Sequence, residues 1–137
     1  MDPHALSDSE FLAGFEACEL PPVAFNHLGH LRVAWICLQK YPTDEAERRV
    51  CTGIERFAIR LGVPGKYNHT LTVALLRLMA HGGAADQARS FSAFLAGNPE
   101  LVEDATGALA RHYSPGCLES VEAKRSFSSP DRAPLPR

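Results

Sequence analysis

Asn26-His27-Leu28-Gly29-His30-Leu31-Arg32-Val33-Ala34-Trp35 and Asn68-His69-Thr70-Leu71-Thr72-Val73-Ala74-Leu75-Leu76 open alike. In each, an Asn-His pair precedes a run of helix-compatible, mostly apolar residues. Asn is a favoured N-cap because its side-chain oxygen accepts a hydrogen bond from the free N–H groups of the first turn. The two pairs therefore predict one helix starting at His27 and another starting at His69. In the first, Leu28, Leu31, Trp35 and Leu38 recur at i, i+3, i+7 and i+10, the spacing of a core-facing stripe. A helical period at both places decides the fold class.

The flanking segments keep that period. A first helix opens after Ser7-Asp8-Ser9, carries Phe11, Leu12, Phe15 and Cys18, and stops before Pro21-Pro22. The second ends near Lys40, and Thr43 caps a third with Val50, Ile54, Phe57, Ala58 and Leu61 on one side. The fourth covers His69 to His81, and the fifth covers Asp86 to Ala96 with Phe91, Phe94 and Leu95 inside. Asn98-Pro99 starts a sixth that runs to about Tyr113, since Pro is well placed at the first helical position. No segment alternates apolar and polar residues, so the expected fold is an all-α, single-domain bundle of five to six helices over 1–113. Its core centres on Leu31, Trp35, Phe57, Leu61, Leu75 and Phe94. Four prolines and several serines after Tyr113 describe an extended Pro-rich tail, 114–137, with a short helical turn around Leu118 to Phe127, packed on the domain or disordered.

Composition narrows the function. With 137 residues, 45% hydrophobic content and a formal net charge of -2, the chain can bury one core unaided and has no basic excess for nucleic acid. The most apolar run, Val73 to Ala80, is broken by Arg77 and is far shorter than the about 20 residues of a membrane span. Cys18, Cys37, Cys51 and Cys117 form no CxxC pair and no signal-peptide pattern precedes them, which points to a reducing, cytoplasmic setting. Cys37 and Cys51 read as small buried hydrophobes.

Short connectors make successive helices antiparallel, so the second and fourth run parallel and begin at the same end. His27, His30, Lys66, Tyr67, Asn68, His69, Thr70 and Thr72 are then the residues expected to converge. The positive pole of a helix disfavours protonation of a first-turn histidine and suits an anion. His81 and His112 fall at helix C-termini, where the dipole alone accounts for them. The expected function is acid–base chemistry of the lyase, isomerase or cyclase type on a small anionic molecule, without a cofactor. His27 or His30 serves as base, Tyr67 as hydrogen-bond donor or acid, and Lys66, Asn68, His69, Thr70 and Thr72 bind the substrate. One alternative is a divalent metal such as Zn or Fe on His27, His30 and His69, with Glu16 or Glu19 reaching in. Another is a non-catalytic binding module. No nucleic-acid or membrane partner is expected, and a homodimer is allowed.

Phe25-x-His27-x-x-His30-Leu31-x-x-Ala34-Trp35, with Lys66-Tyr67-x-x-Thr70-x-Thr72, resembles a group of small bacterial helical proteins of no assigned activity. Their pattern is F-x-H-x-x-H-x-x-x-A-W followed by G-x-x-x-K-Y-H-x-T-x-T, with a proline-rich end similar to Ser129-Pro130-Asp131-Arg132-Ala133-Pro134-Leu135-Pro136. The resemblance implies a helical fold and no particular chemistry. This chain departs from it where Asn68 stands in place of the histidine after Tyr67, with His69 one position later. A one-residue shift turns a side chain by about 100° around a helix, so His69 is not a simple replacement.

Overall fold

Ser7 starts the first helix with a reciprocal cap: its hydroxyl accepts from the Glu10 N–H at 3.1 Å, and the Glu10 carboxylate accepts from the Ser7 N–H at 3.0 Å. In the computed structural model, which describes residues 6–136, this helix, α1, spans Asp8–Glu16. The outer limits of the two expected segments, 1 and 137, lie outside the described residues. The frame is completed by α2 (His27–Lys40), α3 (Thr43–Arg60) and α4 (His69–His81). Five short helices follow: α5 (Phe91–Gly97), α6 (Pro99–Glu103), α7 (Ala105–Ala110), α8 (Pro115–Leu118) and α9 (Val121–Arg125). The class is all-α, and no strand occurs among the described residues.

Several boundaries differ from the sequence expectation, each for a local reason. Cys18 takes a left-handed φ of 57°, so α1 ends before the prolines are reached. Thr43 is the first helical residue of α3 rather than its cap, and Pro42 occupies the cap position without a side-chain bond. The expected fifth helix begins five residues late, at Phe91. The Asp86 carboxylate accepts from the Ala88 N–H at 2.9 Å, a turn-forming bond. Gln39 donates to the carbonyls of Ala84 and Asp86, holding the segment as turns until Ser90 caps α5. The expected sixth helix is split at Asp104, whose backbone leaves the helical region (φ -149°, ψ 59°) and whose carboxylate caps α7 through the Gly107 N–H.

The core forms where α1, α2, α3 and α4 meet. Leu31, Val33, Cys37, Ala46, Met79 and Phe94 are fully buried, and Phe57 nearly so. Leu75 and Trp35 are half-buried, with the Trp35 ring 5.4 Å from that of Phe91 and its indole N–H lacking an acceptor among the described residues. Leu61 is 44% exposed because it lies past the last residue of α3. Leu28, in the first turn of α2, is 38% exposed; the buried face of that helix is instead a broad one that includes Ala34 and Ile36. The tail is bonded to the bundle through Tyr113, whose hydroxyl donates to Ser128 O at 2.7 Å, and to itself through the Asp131 carboxylate, which accepts from the Ser114 N–H at 2.7 Å.

Gly53 of α3 lies against the Phe15 ring of α1. A Cβ there would lie 2.1 Å from Cζ of Phe15, a ring that is itself buried and in contact with Phe25. Gly53→Ala gains about 1 kcal/mol of helix propensity but forces the ring out of place, at about 1–3 kcal/mol. A lowered urea midpoint is the expected outcome. A raised midpoint would show that Phe15 does not pack there.

Candidate functional site

Each of the two long helices that open at the site is preceded by a single 3-10 turn. Pro22–Ala24 leads into Phe25 and Asn26, whose Oδ1 accepts from the Gly29 N–H at 2.9 Å. The turn lies so close to α2 that a Cβ on residue 29 would stand 2.1 Å from the carbonyl oxygen of Ala24. Only glycine allows this approach, which seats His27 and His30 beside the turn. Pro64–Lys66 leads in the same way into Tyr67 and Asn68, whose Oδ1 accepts from the Leu71 N–H at 3.0 Å. Both helix starts border a cavity of about 440 Å³, with Ala105, Thr106 and Leu109 of α7 on its wall.

Of the residues expected to converge, His27, His30, Lys66, Tyr67, Asn68 and Thr72 line this cavity. His69 and Thr70 are not among its lining residues. His69 Nδ1 is paired with the Tyr67 hydroxyl at 2.8 Å. Thr70 is fully buried; its hydroxyl donates to Ser126 O and accepts from the Ser128 N–H, both at 2.9 Å, and so ties the tail to α4. Asn68 is also occupied, because its amide donates to Leu118 O at 2.7 Å in addition to capping the helix. Thr72 donates back to Asn68 O at 2.8 Å. Three residues expected to hold substrate therefore do structural work. The α7 wall was not expected, because the sequence reads as one continuous helix through Asp104; the cap-forming Asp104-Ala105-Thr106-Gly107 run was the signal for it.

The two cavity histidines are held in opposite senses. A carbonyl oxygen only accepts, so His27 Nε2–H donates to Leu101 O at 2.8 Å, and His30 Nδ1–H donates to Asn26 O at 2.8 Å. In the neutral rings this leaves Nδ1 of His27 and Nε2 of His30 as the lone-pair atoms. The His30 ring stacks on Phe25, with centroids 4.0 Å apart and planes 22° from parallel. Its pKa is lowered from the ordinary 6.5, first by burial and further by the neighbouring His27, against an opposing contribution from the Asn26 carbonyl. The shift favours the neutral ring.

Tyr67 was expected to act as hydrogen-bond donor or acid. Burial, then its hydrogen bond with Cys51, raises the phenol far above its usual range, which favours the protonated hydroxyl. Burial likewise raises the thiol of Cys51, and pushes that of Cys37 up to about 11, so both buried thiols favour the protonated form. Lys66 is exposed and makes no ion pair among the described residues. Among those residues, no group of three or more His, Cys, Asp or Glu is arranged to hold a metal. One ring nitrogen of each of His27, His30 and His69 is bonded to a different partner: Leu101 O, Asn26 O and the Tyr67 hydroxyl. No family model, curated protein or solved structure matches the chain.

Three measurements follow from these bonds. In an NMR titration the His30 ring should protonate below the ordinary 6.5; a value at or above it would contradict the burial. An unfolded chain protonates that ring at about 6.5, whereas the folded one does so only at lower pH, so folding stability falls as pH drops through that window. His30→Gln should flatten this part of the pH dependence. Thr70→Val removes both bonds to the tail, and the amide of Ser128 should then exchange at least about tenfold faster, the equivalent of about 1.4 kcal/mol of lost closure. Unchanged exchange would show that the tail is held elsewhere.

Proposed function

We propose that the cavity binds a small organic anion and that His30 moves a proton on it, in the manner of a lyase, isomerase or cyclase. The observation that carries this reading is the His30 ring: Nδ1–H is committed to Asn26 O, burial keeps the ring neutral, and Nε2 is left as a base in a residue that lines a cavity. Lys66 supplies the positive charge and Tyr67 a fixed hydroxyl at the same cavity. Nε2 takes a proton from a C–H or O–H of the substrate, whose electron pair is held by the adjoining acid or carbonyl group. The same atom returns the proton to a second position, so one histidine serves both half-reactions. His27, on the opposite tautomer, offers a second acceptor at Nδ1.

The reading includes a cytoplasmic setting, supported by four cysteines that are all free thiols. No described helix is long and apolar enough to cross a membrane.

The test is proton exchange. Carboxylic acids bearing an acidic C–H, incubated with the protein in D₂O, should take up deuterium at that carbon. His30→Gln should slow the uptake by about 10²–10⁴-fold, the ordinary contribution of a positioned base. Lys66→Gln should act mainly on KM. Uptake that survives in His30→Gln would remove His30 from the chemistry, and binding without any uptake would make the cavity a non-catalytic site.

A further inference from the structure

The small-anion reading leaves the rest of the ligand unspecified, and the chemistry of the cavity wall narrows it. Resting on that reading, we infer that the ligand is an apolar-bodied monocarboxylate, with its acid group at Lys66 and its hydrocarbon portion against Phe25, Ile54, Leu75, Leu76 and Leu109. Three facts carry this. First, the described lining residues include one ammonium, Lys66, and no Asp, Glu or Arg. A carboxylate, with a single charge, matches one Lys. A phosphate monoester carries about -1.5 to -2 at pH 7 and calls for several donors or a guanidinium clamp.

Second, most of the polar groups on the wall are already spent. The Asn26 carbonyl oxygen is used on Gly29, both ends of the Asn68 amide on Leu71 and Leu118, and the Thr72 proton on Asn68 O. What remains is Lys66, the Asn26 amide nitrogen, the free nitrogens of His27 and His30, and the Thr106 hydroxyl, the Tyr67 hydroxyl being paired with His69. A polyhydroxylated ligand would lose its water without finding replacement bonds, at about 1–3 kcal/mol for each unpaired group. Third, the rest of the wall is aliphatic or aromatic and meets the stacked Phe25–His30 pair, so a ligand body without polar atoms gains by leaving water. At about 440 Å³ the cavity falls within the about 300–1,000 Å³ of ordinary small-molecule sites.

The experiment compares three probes by calorimetry and NMR: 3-phenylpropionate, its neutral amide, and glucose 6-phosphate. The expected result is that 3-phenylpropionate binds and shifts the His30 ring and Leu75 methyl signals. The amide should bind about tenfold more weakly, the equivalent of one charge-assisted bond, and the sugar phosphate should not bind. Lys66→Gln should reduce the affinity for the acid to that for the amide and leave the amide unchanged. Glucose 6-phosphate shifting His30 while 3-phenylpropionate does not would overturn this inference and leave the small-anion reading standing. Equal binding of acid and amide, or no His30 shift with either anion, would overturn both.

Discussion

Two asparagine caps govern the polar end of this protein. Asn26 and Asn68 each satisfy an N–H that the first turn of a helix leaves without a partner, and in doing so fix where α2 and α4 begin. Moving either start by one residue would turn every side chain on that helix by about 100°. His30 would lose its line to Asn26 O, and Thr70 its line to the tail. The 3-10 turns before the caps add a second constraint, since the Ala24 carbonyl occupies the space that a side chain at position 29 would need. The cavity is thus a consequence of two helix starts held in register, closed by a wall from α7.

Within that frame the side chains divide their work. Asn68, Thr70 and Thr72 maintain the start of α4 and fasten the tail across it, and the proposed chemistry falls to His27, His30 and Lys66 on the cavity wall. Tyr67 sits between His69 and the thiol of Cys51, its proton retained by burial. The neutral state of His30 arises chiefly from desolvation, so it depends on the packing of Phe25 and on the cavity remaining closed on that side. Polar scaffolding and cavity-lining groups lie side by side here because the same short segments both start the helices and face the cavity.

The four long helices were legible because their apolar residues recur with a period that only a helix satisfies, and because Asn26, Asn68 and the Ser7-x-x-Glu10 pair are strong start signals. The region after His81 was less legible. Asp86 and Asp104 have the side chain of a cap and of a turn former alike, and only the tertiary partners, Gln39 for the first turn, decide between them. Convergence of His27, His30, Lys66 and Tyr67 on one cavity follows from connector length, which sequence does supply. Orientation around the helix is finer information. Thr70 and His69 share the right turn of α4 with the cavity-lining Asn68 and Thr72, yet the tail claims one and Tyr67 the other. Nor did periodicity anticipate the exposure of Leu28 and Leu61, because both lie at helix ends with little packed over them.

The central claim is that the backbone holds the two cavity imidazoles in opposite tautomers, each leaving one basic nitrogen free. A long-range ¹H–¹⁵N correlation spectrum at neutral pH reads the tautomer of each ring directly. The account predicts a protonated Nε2 for His27, donated to Leu101 O, and a protonated Nδ1 for His30, donated to Asn26 O. Finding His30 protonated at Nε2, or as the imidazolium, would mean that the base is not available, and the acid–base account of this cavity would fall.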